Sequence, residues 1–266
     1  MRTAVIQSFR EHDVPAWLAS CMRSAQIWAE QEGYTYLWKN DAFFDYATEH
    51  EKRICSNQIY ALTDICRLRW IKELFDSYDR VFWLDADILI FSPKKLTLES
   101  LAGAGFAKEV FIRPHTDNRG RFITKHGHNN AFMFFDRDNG TLEHYLSSAE
   151  ACLAEWHDGD LPRTIIGPTM VDNLFSCHRV TSIEGVGLFS PNIMRDIVLG
   201  GTRLSKQYYG LYSSGLYAAN LCHFIRNTLE GLKREQYDAT YEKAVEKLLQ
   251  DGSRVLLPSN HFVHNG

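Results

Sequence analysis

The sequence lacks the features that mark disulfide-stapled, membrane-spanning and nucleic-acid-binding chains. Its six cysteines are scattered over 266 residues with no Cys-x-x-Cys pair, which favours reduced core cysteines and a reducing compartment. No apolar run is long enough to cross a bilayer, and the N-terminal run is too short for a secretory signal. The net charge of -4 leaves no basic stripe to follow nucleic acid. We therefore expect a cytoplasmic protein with no transmembrane segment and no nucleic-acid partner.

The sequence also has no internal repeat, no low-complexity tract and no linker long enough to separate two domains. With 45% apolar residues, a chain of this length can bury a sizeable core. We predict a single domain over residues 1–266, with a core of about 1–225 and a C-terminal helical extension of about 226–266.

Strand-like and helix-like segments alternate along the chain, which predicts an α/β fold with a mostly parallel sheet flanked by helices. The region from Ser182 to Tyr217 has no clear pattern. The predicted elements are a strand at Thr3–Ser8, a helix at Val14–Glu32, a strand at Tyr34–Trp38, a helix at about Arg53–Tyr78, a strand at Arg80–Phe91, strands at Glu109–Arg113 and Ala131–Asp136 separated by a polar loop at His115–Asn130, a helix at about Leu142–His157 and a helix at Asp238–Gln250.

An Asp-Ala-Asp triplet at Asp85 to Asp87 interrupts the apolar run from Arg80 to Phe91. Burying unpaired charge is costly, so both carboxylates should reach solvent at a strand end or be neutralised by a cation. In an extended chain residues i and i+2 point to the same side, so the two carboxylates can converge on one ion. Carboxylate oxygens suit Mg2+ or Mn2+, which keep positions open for phosphates. A metal-diphosphate site is the leading hypothesis, and an exposed pair of loop carboxylates is the alternative.

The predicted helix before this strand carries Asn57, Asp64 and Arg67 at i, i+7 and i+10, so the three side chains share one face. A guanidinium and a carboxylate near the strand end can bind a ribose or a sugar hydroxyl and hold it relative to phosphates. The alternative is an intrahelical ion pair between Asp64 and Arg67, which contributes little at a surface.

These segments resemble the Ser/Thr-Asp-x-x-Arg to Asp-x-Asp block of GT-A-fold glycosyltransferases, particularly families 32 and 8. The block here reads Thr63-Asp64-Ile65-Cys66-Arg67 and then Phe82-Trp83-Leu84-Asp85-Ala86-Asp87. Gly167-Pro168 is similar to the Gly-Pro segment of family 32, and His128-Asn129-Asn130-Ala131 resembles a strand start of family 8. Phe132 stands where family 8 has glycine, and the Gly-Gly-x-Tyr of family 32 is absent. The resemblance covers roughly residues 1–225 and implies a Rossmann-like GT-A fold.

The resemblance also implies roles for individual residues. His223 matches a histidine that completes the metal ligands Asp85 and Asp87, and Arg226 adds positive charge at the diphosphate. Asp172 and Asn130 are expected near the sugar, while Gln7 and Ser8 end the strand that meets the nucleoside. The full set of expected donor contacts is Gln7, Ser8, Asn57, Asp64, Arg67, Asp85, Ala86, Gly167, Pro168 and Arg226.

The function expected from this pattern is metal-dependent transfer of a hexose from a UDP- or GDP-sugar to a hydroxyl acceptor. The resemblance implies retention of configuration, and analogy suggests a bacterial surface glycan or glycolipid precursor as acceptor, with peripheral membrane contact. Two alternatives stay open. Haloacid-dehalogenase-like phosphatases also carry Asp-x-Asp at a strand end, but here Leu89 follows where Thr or Val is common and no paired acidic motif lies downstream. The second alternative is a non-catalytic relative that binds a sugar nucleotide or glycan.

Overall fold

Strands and helices alternate along the part of the chain that the computed structural model describes, which is residues 1–114, 122–157, 160–200, 203–224 and 234–257. The strands are β1 (Thr3–Ser8), β2 (Thr35–Lys39), β3 (Arg80–Leu84), β4 (Ile88–Ile90), β5 (Ala104–Pro114), β6 (Phe122–Asp136), β7 (Thr181–Ile183), β8 (Val186–Leu188) and β9 (Ala218–Asn220). The helices are α1 (Ala16–Gln31), α2 (Glu49–Ile54), α3 (Ile59–Leu74), α4 (Thr141–Ala154), α5 (Pro168–Cys177), α6 (Pro191–Val198), α7 (Arg203–Tyr209) and α8 (Arg234–Asp251). Short 3-10 turns lie at Asp41–Tyr46, Pro93–Lys95 and Gly252–Leu256.

The strands form a six-stranded sheet of order β2-β1-β3-β6-β5-β7 and a three-stranded sheet of order β4-β9-β8. In the larger sheet β1 runs parallel to β2 and β3, β7 runs parallel to β5, and β6 runs antiparallel to both β3 and β5. β1 and β3 are buried along nearly their whole length, as expected of strands covered on both faces by other elements. The predicted α/β class, with a mostly parallel sheet flanked by helices, is confirmed.

α1 shows how the apolar pattern produces packing. Trp17, Cys21, Ser24 and Trp28 fall on one face of the helix, and all four are buried. The Ser24 hydroxyl accepts a hydrogen bond from the backbone N–H of Ile90 at 2.9 Å, which joins α1 to β4 in the smaller sheet. The Trp17 indole donates to Asp238 of α8 at 3.0 Å. α8 therefore packs against the N-terminal helix.

The predicted helix from Arg53 to Tyr78 is wrong in one respect, because the structure divides it into α2 and α3. A capping box at Thr48 and Glu51 starts α2, and a turn separates Ile54 from Ile59. The turn holds Asn57, which is exposed and lies off the α3 face that carries Asp64 and Arg67. Two polar residues, Ser56 and Asn57, favour a turn at this point.

Two further predictions need correction in the sheets. The run from Arg80 to Phe91 is two strands in two different sheets, and the Asp-Ala-Asp triplet forms the turn between them rather than extended chain. Residues 122–130, predicted as loop, extend β6 in a long hairpin with β5. Backbone hydrogen bonds hold this arm extended, and because its side chains are mostly polar, with Thr124, Lys125 and His126 exposed, no apolar pattern indicated a strand.

The cysteine prediction is confirmed for Cys21, Cys55, Cys66 and Cys222, which are free and buried, whereas Cys177 is exposed at the end of α5. Within the described ranges no helix is both long and apolar enough to span a membrane.

Candidate functional site

The Asp85 to Asp87 turn connects the two sheets at the carboxyl end of β3. The Ile88 N–H donates to the Asp85 carbonyl at 3.0 Å and closes the turn. The Gln7 side chain from β1 donates to the same carbonyl at 3.0 Å, while the Gln7 amide oxygen accepts from the Tyr36 hydroxyl at 2.9 Å. Gln7 is fully buried and both ends of its amide are occupied. The side chain therefore positions the turn, and the predicted contact between Gln7 and a donor stays a prediction.

Arg67 ties the turn to α3. Its guanidinium lies 3.1 Å from Asp85 Oδ1 and 3.0 Å from Asp64 Oδ1, and it donates to the Asn130 carbonyl at 2.9 Å. The group also packs over the Trp83 ring, whose indole N–H donates to Asp85 Oδ1 at 2.7 Å. The ion pair between Asp64 and Arg67 that was the alternative reading does form. It is buried, however, and it extends to the Asp-Ala-Asp turn.

Asp87 is held from the other sheet by the segment after β9. The Asp87 carbonyl accepts from the Leu221 N–H at 3.0 Å, and Asp87 Oδ2 accepts from the His223 backbone N–H at 2.7 Å. Cys222 between them has a φ of 54°, a left-handed conformation that costs energy for a residue with a side chain. The Asn220 side chain stabilises this bend by accepting from the Cys222 N–H at 2.7 Å.

The structure brings the predicted metal ligands Asp85, Asp87 and His223 close together, but not all three through their side chains. His223 reaches Asp87 through its backbone, and its ring lies 5.6 Å from Trp17 and 5.8 Å from Phe9, centroid to centroid. In the described parts of the chain, no group of three or more His, Cys, Asp or Glu side chains is arranged to hold a metal ion. Asp85 and Asp87 remain a pair of oxygen ligands of the kind Mg2+ and Mn2+ accept, and metal binding stays a prediction.

The electrostatics of the turn favour an added cation. Burial raises the pKa of Asp85 against the opposing charge of Arg67. Burial and the Asp85 carboxylate raise the pKa of Asp87 to about 7, and burial raises the pKa of Asp64 to about 6. One guanidinium is thus shared among three carboxyl groups at neutral pH. A divalent ion at the turn would favour the ionised form of both Asp85 and Asp87.

Two cavities meet at this turn. The first, here called the aromatic cavity, has a volume of about 450 Å³ and is lined by the rings of Phe9, Phe43, Phe44 and Trp83. The second, here called the polar cavity, has a volume of about 330 Å³. Its polar lining includes Asp64, Glu109, Asn129, Asn130, Arg163, Thr164 and Asn220. Both cavities are bordered by Tyr60, Arg67, Asp85, Asp87 and Phe224.

Gly167 and Pro168 bring the start of α5 against α3 beside the polar cavity. A Cβ added at Gly167 would lie 3.0 Å from Asp64 Oδ2 and 3.3 Å from Asn130 Oδ1, so glycine is needed for this close approach. Asn130 is buried and donates to Asp64 Oδ1 at 2.9 Å. Pro168 follows at the first helical position and borders the polar cavity.

Of the remaining predicted site residues, some line a cavity and others do not. Ser8 and Ala86 line the aromatic cavity, whereas Asn57 borders neither cavity. Asp172 is exposed on α5 and is absent from both linings, although its Oδ1 lies 3.9 Å from the point where a Cβ on Gly127 would stand. Arg226 lies outside the described residues.

Sequence reasoning missed an aromatic and cationic cluster at the border of the two cavities. The Arg163 guanidinium lies 5.2 Å from the Tyr60 ring centroid and 5.4 Å from that of Phe224, and both rings are partly exposed. Glu109 on β5 was also missed. Tyr60 could have been found, because it lies at i-4 and i-7 from Asp64 and Arg67 on the same face of α3.

No family model matches this chain, and no curated protein matches it significantly. Among solved structures, a glycosyltransferase involved in the glycosylation of the major capsid of PBCV-1 is similar over 90% of this chain and 98% of its own, at 12% identity and a TM-score of 0.46. Mouse xyloside xylosyltransferase 1 is similar over 84% and 98%, at 10% identity and a TM-score of 0.40. CTP:phosphocholine cytidylyltransferase from Streptococcus pneumoniae is similar over 70% and 91%, at 15% identity and a TM-score of 0.35. All three TM-scores lie below one half, so no functional conclusion follows from these likenesses alone.

Proposed function

We propose that the protein is a glycosyltransferase that moves a hexose from a nucleotide-diphosphate sugar to a hydroxyl acceptor with the help of Mn2+ or Mg2+. The observation that carries this proposal is the pair of carboxylates, Asp85 and Asp87, at the junction of an aromatic and a polar cavity. A nucleotide sugar has the same order of parts, with an aromatic base at one end, a hydroxyl-rich sugar at the other and a diphosphate between them.

Each part of the donor has a matching surface in this proposal. Among the rings that line the aromatic cavity, Phe9 and Phe44 are partly exposed and offer stacking partners for a base. Asp85 and Asp87 would hold the metal ion, which when bound supplies positive charge to a leaving diphosphate. The polar cavity offers amides and carboxylates to sugar hydroxyls.

The chain's own residues would contribute to catalysis mainly by holding charge in place. Arg67 keeps Asp85 oriented through a 3.1 Å ion pair, and the His223 N–H orients Asp87. Arg163 at the cavity border is a cation that can approach the diphosphate as its negative charge grows. Retention of configuration, a cytoplasmic location and a surface glycan or glycolipid acceptor reached by peripheral membrane contact belong to this proposal as extensions of the family resemblance.

The test is a thermal-shift screen of UDP- and GDP-sugars with and without Mn2+, on wild type and on Asp87→Asn. The asparagine keeps an acceptor for the His223 N–H but loses the charge. Because a ligand that binds only the folded state raises Tm, we expect one nucleotide class to stabilise wild type only with metal and to fail on Asp87→Asn. Asp76→Ala, which alters an exposed carboxylate after α3, should behave as wild type.

Two outcomes would contradict the proposal. If no nucleotide sugar shifts the Tm of wild type under either metal while phosphate esters are hydrolysed, the phosphatase alternative replaces it. If a sugar nucleotide binds but is never turned over with any hydroxyl acceptor or water, the chain is a binding protein rather than an enzyme.

A further inference from the structure

Glu109 is a half-buried carboxylate that lines the polar cavity. We propose that Glu109, held by Asn129, binds hydroxyl groups of the transferred sugar and so determines the affinity for the sugar part of the donor. This inference rests on the proposed function and assigns its sugar-binding residue.

The hairpin of β5 and β6 holds this carboxylate in one orientation. Asn129 donates from Nδ2 to Glu109 Oε2 at 2.7 Å. The other end of the Asn129 amide, Oδ1, accepts from the Ala131 N–H at 2.6 Å, so the amide cannot turn without losing both bonds. Among the described residues no donor is recorded for Glu109 Oε1, which leaves that oxygen available to a ligand hydroxyl.

The hairpin also leaves space beside the carboxylate. Glu109 stands opposite Gly127 in the β5–β6 register, and glycine places no side chain there. Asp172 comes nearest to this space from α5, with Oδ1 3.9 Å from the point where a Cβ on Gly127 would stand. Asp172 and Glu109 are therefore the two carboxylates that could contact a sugar from this side.

The surroundings of Glu109 suit a neutral, hydroxyl-rich ligand better than a cation or a structural ion pair. Three amide side chains, Asn129, Asn130 and Asn220, line the same cavity. No Lys or Arg forms an ion pair with Glu109 within the ranges that the structure describes. Burial raises the pKa of Glu109, although the Asn129 hydrogen bond and the charge of Lys125 oppose this effect. A carboxylate in such a site gains from O–H donors, because charge-assisted hydrogen bonds replace lost hydration.

The experiment compares two ligands in each variant by calorimetry with Mn2+: the nucleoside diphosphate alone and the same diphosphate carrying its sugar. Glu109→Gln should leave the Kd for the nucleoside diphosphate within about twofold of wild type and weaken binding of the nucleotide sugar about tenfold. Asn129→Ala should have a smaller effect in the same direction. Glu184→Gln is the matched control, since Glu184 pairs with half-buried Lys108, the neighbour of Glu109, and borders neither cavity.

The two ligands separate failure of this inference from failure of the proposed function. Unchanged diphosphate binding shows that a variant is folded, so a misfolded protein cannot imitate the expected result. If wild type binds both ligands and Glu109→Gln binds the sugar nucleotide as tightly as wild type, Glu109 does not bind the sugar, although the proposed function stands. If the selective loss occurs in Asp172→Asn instead, Asp172 holds that role. If wild type binds neither ligand, the proposed function and this inference fall together.

Discussion

At the residue scale, Arg67 joins parts of the chain that are distant in sequence. The guanidinium pairs with Asp64 on its own helix and with Asp85 in the turn after β3, and it donates to the Asn130 carbonyl on β6. Arg67 is 5% exposed, so these partners replace water at its two terminal nitrogens, whereas the buried Nε has no hydrogen-bond partner among the described residues. Removing one member of such a group leaves buried charge without compensation.

Arg67→Ala should therefore lower the free energy of unfolding by about 3–5 kcal/mol, the range typical of a broken buried ion pair. Arg67→Lys should recover part of this loss at most, because one ammonium cannot reach three acceptors in the guanidinium geometry. Urea denaturation followed by circular dichroism measures both changes.

Lys52→Ala is the matched control for spacing. Lys52 and Glu49 also form an ion pair at i and i+3, but both side chains are exposed, so we expect no measurable change in stability. Similar losses for Arg67→Ala and Lys52→Ala would show that burial of the Arg67 pair has no special effect.

The residues around the turn also show what the sequence can reveal. Asp85, Asp87, Asp64 and Arg67 stood out because charge interrupted an apolar segment at regular spacing, and the structure brings all four together. No comparable charge pattern in the sequence singled out Glu109. A single acidic residue in a strand becomes noticeable only when β6 supplies Asn129 from the other arm of the hairpin.

At the scale of elements, α5 docks against α3 through a contact that requires glycine. A Cβ on Gly167 would lie 3.0 Å from the Asp64 carboxylate and 3.3 Å from the Asn130 amide, so these packed groups would have to shift. The helix begins at Pro168, so a change at Gly167 moves the start of the helix and the wall of the polar cavity together.

Gly167→Ala should lower the free energy of unfolding by about 1–3 kcal/mol, because a methyl group at 3.0 Å from Asp64 Oδ2 forces the packed groups apart. It should also weaken binding of the nucleotide sugar more than binding of the nucleoside diphosphate. Denaturation and calorimetry measure the two effects.

Gly210→Ala provides the comparison, since a Cβ there meets its nearest atoms at 3.5 and 3.6 Å, ordinary contact distances. Its effect on stability should be small and its effect on ligand binding absent. Equal losses in the two variants would contradict the steric explanation for Gly167.

The elements differ in how far local sequence predicts them. β1 and α1 follow from the apolar pattern because each buries a regular run or stripe, whereas β2 has no buried residue and follows from its aromatic and β-branched content. The three-stranded sheet could not be predicted, since β4, β8 and β9 have three residues each. Pairing between β4 and β9 across more than a hundred residues of chain creates this sheet. Three residues carry too short a pattern to indicate a strand.

At the scale of the whole molecule, the buried carboxylates of the site lower the free energy of unfolding when they ionise. The raised pKa values of Asp87, about 7, and Asp64, about 6, mean that the folded protein keeps protons that the unfolded chain has lost above pH 4 or so. Because the folded state then binds more protons than the unfolded state, the free energy of unfolding falls as pH rises.

In metal-free buffer, the contribution of Asp87 should be fully present below pH 4 or so and lost as pH rises to about 7, with a slope approaching 1.4 kcal/mol per pH unit. Asp87→Asn should remove this slope and leave the parts due to Asp64 and Asp85. Urea denaturation between pH 5 and pH 8 tests the difference. Parallel curves for wild type and Asp87→Asn would show that Asp87 titrates normally.

Added Mn2+ should raise Tm more at pH 8 than at pH 5.5, because protons compete with the ion for the carboxylates.

The turn from Asp85 to Asp87 is also one of the covalent links between the two sheets, since β3 ends before it and β4 begins after it. A ligand held by both carboxylates would therefore fix the end of β3 to the start of β4, one strand of each sheet. Amide hydrogens of β4, β8 and β9 exchange when the smaller sheet opens, and occupation of the turn should make that opening as rare as global unfolding. Substrate would then protect the smaller sheet from proteolysis even at positions that it never touches.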